Sequence, residues 1–101
     1  MRVHAETREV ALGASAIVEL PGHGTAGYAW QVSAPPGVKI ERRLVPPPED
    51  APMGQSAQEV FELAPSEPGT AKVTFELRQI GEATPVERRT VTLVSRQRPL
   101  R

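Results

Sequence analysis

Proline decides most of what this chain can become. Eleven prolines and eight glycines fall between the apolar runs rather than inside them, and each proline removes a backbone donor and locks one backbone angle. That pattern favours many short strands joined by turns over long helices. Residues 45–57, VPPPEDAPMGQSA, hold four prolines and two acids, so they form neither a central strand nor a helix interior. They read as a long loop, polyproline-like and semi-rigid at first, with Met53-Gly54 as an apolar, turn-prone pair near its end.

Between these breaks the apolar residues alternate at the period of a strand. Residues 70–78 are the clearest case: Ala71, Val73, Phe75 and Leu77 share one face, and Thr70, Lys72, Thr74, Glu76 and Arg78 the other. The same reading gives strands at 9–12, 15–20, 28–33, 38–44, 59–63 and 87–94. Ala16, Val18 and Leu20 face the core from the second, Tyr28, Trp30 and Val32 from the third, and Phe61 and Leu63 from the fifth. The first two are joined by a tight turn at Gly13 after a polar start. The charge of 38–44, with Arg42 and Arg43, marks an edge strand, and PSEPG at 65–69 and QIGEATPV at 79–86 are turns or loops. Seven to eight short strands with one tryptophan on the third predict an all-β, immunoglobulin-like sandwich. Its 101 residues make one domain, with a core over about 8–95 and a tail at 96–101.

Composition narrows the function. Twelve basic side chains balance twelve acidic ones, so no net field draws the chain to nucleic acid or to an anionic membrane. There is no cysteine, hence no disulfide and no thiol chemistry. No apolar run is long enough to span a bilayer, and MRVHAETREV lacks the apolar stretch of a signal peptide. The chain as it stands reads as cytoplasmic, or as periplasmic or secreted where a leader has been removed. Catalysis fails on inventory: His4 and His23 are the only histidines, His23 and Thr25 have no positioned acid, and Glu49-Asp50 is a solvated pair in a proline-rich loop. Neither an enzyme, nor a metal site, nor a cofactor is expected.

What stands out instead is 21–30, PGHGTAGYAW. Glycines at 22, 24 and 27 let the backbone take positive φ angles or approach another surface closely, and Tyr28 and Trp30 anchor the end of the loop on one face of a strand. The two aromatics suit the core of any sandwich; the glycines suit a presented loop. Strand alternation lets this loop, the proline-rich loop and the loop at 79–86 emerge at one end.

This segment resembles the first inhibitory loop of the chagasin family, inhibitors of papain-like cysteine proteases, whose hallmark is Asn-Pro-Thr-Thr-Gly-Tyr followed closely by Trp. Position by position, His23 stands for the Asn, Gly24 for the Pro, Thr25 and Ala26 for the two threonines, and Gly27 and Tyr28 match outright. The strand layout, including PSEPGTAKVTFELR, is similar over nearly the whole chain. The family's second loop carries Gly-x-Gly-Gly, and the aligned residues here are Gly54-Gln55-Ser56-Ala57, after Met53. The third carries Arg-Pro-Trp or Arg-Pro-Phe, where this chain has Arg78-Gln79-Ile80.

The resemblance implies a reversible inhibitor whose partner is a papain-like cysteine protease. The first loop would lie at the catalytic centre and the other two on either side, with no bond presented for cleavage. Losing an aromatic anchor at an interface centre typically costs about 2 kcal/mol, on the order of thirtyfold in affinity, so weaker or retargeted inhibition is expected. A non-inhibitory protein-binding or adhesion module with changed loops is the alternative. A monomer is expected, with pairing through the edge at 38–44 as the competing state.

Overall fold

The described residues form seven strands, and no helix interrupts them. They are β1 (Arg2–Ala11), β2 (Ala16–Leu20), β3 (Tyr28–Ser33), β4 (Val38–Val45), β5 (Gln58–Pro65), β6 (Gly69–Gln79) and β7 (Glu87–Arg96). The computed structural model describes residues 1–22, 27–52 and 57–97. One sheet has the order β1-β7-β6-β3 and the other β2-β5-β4, the four-plus-three layering of an immunoglobulin-like sandwich.

The inward faces are those the alternation marks. Val18, Leu20, Trp30, Phe61, Leu63, Val73, Phe75, Leu77, Val91 and Leu93 belong to one buried cluster that draws on both sheets. At its centre Phe61 of β5 meets Phe75 of β6 edge to face, with ring centroids 5.0 Å apart and planes at 66°. That contact joins one sheet to the other in the geometry the ring quadrupoles favour. β4 is an edge, as its charges imply. Pro65 extends β5 rather than opening the turn, because it sits at the last rung, opposite Val38, where little of the ladder follows.

The N-terminus departs from expectation. A polar start and a short strand at 9–12 are replaced by a ten-residue strand, β1, which pairs with β7 in parallel from Arg2 opposite Glu87 to Ala11 opposite Arg96. Only Val10 of β1 is buried, so backbone pairing rather than an apolar face makes this strand, and the sequence carries no alternation to reveal it. Nor do β1 and β2 pair with each other. The turn at Gly13, closed by the Ala14 amide on the Ala11 carbonyl at 3.0 Å, carries the chain from one sheet to the other.

Charged side chains mark the open edge of β1. Arg8 binds Glu6 and donates to the Ile17 carbonyl on β2, so it ties the margins of the two sheets together. Charges placed this way discourage a further strand from adding there. At the other end of the chain, β7 runs through Arg96, two residues beyond the strand expected at 87–94.

Phe61 is fully buried against Phe75, and Phe61→Ala should therefore lower unfolding free energy by about 3–5 kcal/mol. The check is the midpoint of urea denaturation; a loss below about 1 kcal/mol would mean that the contact between the sheets is not the centre of the core.

Candidate functional site

Strand register brings three connections to one end of the sandwich. Leu20 lies opposite Glu59, Val45 opposite Gln58, Tyr28 opposite Gln79 and Leu77 opposite Glu87. The β2–β3, β4–β5 and β6–β7 loops therefore leave together. Of the residues singled out in the sequence, His23, Gly24, Thr25, Ala26, Met53, Gly54, Gln55 and Ser56 lie outside the described residues. What the structure gives is the frame that holds them.

The first loop is pinned at both feet. Trp30 is 1 % exposed, with its ring in the core, and its Nε1–H donates to the Pro21 carbonyl at 2.9 Å. An indole buried this deeply needs one acceptor, and here the acceptor is the start of the loop. At the other foot Gly27 takes φ +81°, and an added Cβ there would meet nothing within 4 Å. Glycine is needed for the hand of the backbone, not for room. The Gly27 carbonyl accepts from the Ile80 amide at 2.8 Å, which fastens the first loop to the third.

The third loop is described throughout. The Glu82 amide closes a turn on the Gln79 carbonyl at 2.9 Å, Gly81 has φ +91°, and Ile80 stands out at 73 % exposure. Arg78 lies on the outer face of the sheet, beside Glu76. It donates through Nη1 to the Ala83 carbonyl at 2.5 Å and through Nη2 to Glu76 at 2.7 Å, while Arg88 grips the other oxygen of Glu76 through Nε and Nη2 at 3.1 and 2.8 Å. The arginine thus braces the loop's backbone from the outer face of the sheet. Hydrogen bonds from Arg78, then from Arg88, hold the Glu76 carboxyl below its ordinary value near 4.5.

Beneath the loops the apolar core gives way to a polar layer built alike in both sheets. Glu59 and Glu87 are buried, at 5 % and 7 % exposure. Arg42 pairs with Glu59 while its guanidinium lies 5.4 Å from the Phe61 ring centroid. Arg89 pairs with Glu87 at 2.6 Å and lies 5.6 Å from the Trp30 ring centroid. Each buried carboxylate is matched by a cation that also stacks on a core aromatic. Sequence reasoning read Arg42 as an edge charge and left its partner unseen, because that pair joins two strands, β4 and β5; Arg89 and Glu87 are two apart on β7, and what the sequence hides there is the burial of Glu87 beside Trp30. Of the second loop's expected residues only Ala57 is described, half-buried at the foot of β5; before it, the Ala51 amide turns back onto the Pro48 carbonyl at 3.0 Å. Among the described residues no three histidine or carboxylate side chains gather as metal ligands.

Comparison with known proteins bears on this frame. The profile described as chagasin family peptidase inhibitor I42 matches residues 9–94. Among solved structures, the Entamoeba histolytica cysteine protease inhibitor EhICP2 superposes with a TM-score of 0.79 at 19 % identity, covering 94 % of this chain and 95 % of that one. Amebosin gives 0.65 at 24 % identity over 96 % and 97 %, and PbICP-C, in its complex with falcipain-2, 0.72 at 9 % identity over 94 % and 90 %. These likenesses show the fold. No curated protein matches the chain at a significant level.

Two outcomes follow from the frame. Trp30→Phe keeps an aromatic body but leaves the Pro21 carbonyl without its donor, and should cost about 1–3 kcal/mol in chemical denaturation. Glu76, whose carboxyl is lowered in the folded state, contributes stability that is full above the unfolded value and is lost as the pH falls through the folded one, below about 4.5. Amide exchange at Ile80–Glu82 should accelerate over that acid range in the native chain, and Glu76→Gln should make it fast and nearly flat with pH once intrinsic exchange is divided out.

Proposed function

Because the chain belongs to the chagasin family of peptidase inhibitors, we propose that it acts as one inhibitory domain against papain-like cysteine proteases, filling the substrate cleft with its three loops. The family is one of inhibitors and not of enzymes. The bond from the Ile80 amide to the Gly27 carbonyl carries this reading: it sets the first and third loops in one register at the end from which the second also departs. Interfaces gain affinity when their parts are held in place before binding, since less chain is ordered on contact.

In this arrangement residues 23–28 meet the catalytic centre. A glycine-rich backbone can come close to a nucleophilic cysteine, and Thr25 is small enough to fit where a bulky side chain would clash. Residues 53–57 and 78–80 flank it, with Ile80 as the apolar contact and Arg78 as the brace behind it. The neighbouring structures support a cysteine protease as partner, since EhICP2 is named a cysteine protease inhibitor and PbICP-C is seen bound to falcipain-2. The domain acts as a monomer, a reading favoured by Lys39, Glu41, Arg42 and Arg43 along the open edge of β4.

Titrating papain with the purified protein against a fluorogenic substrate tests this. Reversible inhibition is expected, abolished by Thr25→Arg with the melting temperature nearly unchanged. Inhibition retained in Thr25→Arg would remove the first loop from the contact. No inhibition by folded protein at micromolar concentration would turn the assignment toward a binding module that kept the fold and changed its loops.

A further inference from the structure

The large apolar side chains exposed to solvent are not scattered. Among the described residues they are Met1, Val3, Ile17, Leu44, Val45, Ile80 and Val86. Isolated exposed hydrophobics are ordinary, but here all except Ile17 stand at the end from which the three loops leave. Val3 is one rung from the start of the β1–β7 ladder, Leu44 and Val45 close β4, and Ile80 and Val86 belong to the β6–β7 loop. Of these only Ile80 is among the contact residues already assigned, 23–28, 53–57 and 78–80.

From this distribution we infer that the docking end reaches beyond the contact residues 23–28, 53–57 and 78–80 onto an apolar rim of Leu44, Val45 and Val86, and that this rim rests on the walls of the same peptidase's cleft. The inference depends on the inhibitory reading above. Its residues are continuous with the loop bases: Leu44 and Val45 lie opposite Glu59 and Gln58, where the second loop returns, and Glu59 in turn lies opposite Leu20, where the first departs. Val86 ends the third loop, its amide on the Leu77 carbonyl at 2.8 Å and its carbonyl accepting from the Arg2 amide at 3.1 Å.

All three backbones are thus held before any partner arrives. Leu44 and Val45 are on a ladder, and Val86 is clamped between β6 and β1, so burying these side chains orders little chain. Their exposures of 65 %, 46 % and 45 % leave apolar surface to remove from water. Val86 also lines a recess of about 300 Å³ with Arg2, Tyr28, Leu77 and Glu87. That recess sets the apolar surface of Val86 and Tyr28 between the charges of Arg2 and Glu87 beside the foot of the first loop, where a projecting side chain of the peptidase would find contact.

The test compares inhibition constants for the native protein, the triple variant Leu44→Gln, Val45→Thr, Val86→Thr, and a control, Ile17→Thr, on β2 away from this end. The triple variant should inhibit papain about tenfold more weakly or worse, chiefly through faster dissociation, with its melting temperature close to native. The control should inhibit as the native protein does. Native affinity in the triple variant, or equal weakening in the control, would overturn the rim. Should the triple variant fail to fold, Val86→Thr alone keeps the shape of the side chain, and unaltered dissociation in that variant would overturn the proposal. If the native protein itself does not inhibit, the inhibitory reading fails and the rim falls with it. Inhibition lost in Thr25→Arg but untouched in the rim variants would sink the rim alone.

Discussion

One hydrogen bond organises the loop-bearing end of this protein: the Trp30 indole N–H to the Pro21 carbonyl. The ring is in the core, where burial of a large aromatic stabilises the contact between the sheets. Its single polar atom must find an acceptor, and the acceptor is the backbone where β2 ends. Packing and loop placement are therefore one problem with one solution. Whatever holds Trp30 in the core also sets where the first loop begins, and the Gly27–Ile80 bond sets where it ends and what it stands beside.

The layer under the loops solves a second problem. Three loops leaving one end need a firm base, yet the base borders water and cannot be wholly apolar. Glu59 and Glu87 are buried there, and each would be costly without a partner. Arg42 and Arg89 supply the charge and also lie over Phe61 and Trp30, two of the largest core rings. The same device appears once in each sheet. It joins the apolar interior to the polar surface within a single layer of side chains, and it leaves the exposed apolar residues of that end free for contact.

Much of this was legible along the chain. β6 was plain, because it packs on one face only and its residues alternate without a break. The edge position of β4 followed from its charges, and the loop ending in Tyr28 and Trp30 was conspicuous for its glycines. β1 was not legible, since it is held by backbone bonds to β7 that leave no mark in side-chain pattern. Arg78 could be aligned with a family motif, but its service as a brace depends on Glu76, Arg88 and the Ala83 carbonyl converging around it.

The sequence by itself determined the all-β class, the number of strands, the inward faces and the stretches that had to be loops, because alternation and proline act locally, over a few residues. Only the tertiary structure decided that β1 runs parallel to β7, that the two feet of the first loop are fastened to the core and to the third loop, and that Arg42 of β4 meets the buried Glu59 of β5. These are relations between residues far apart in the chain, set by ladder register and by the demand that every buried polar group find a partner. No local pattern specifies which partner that is.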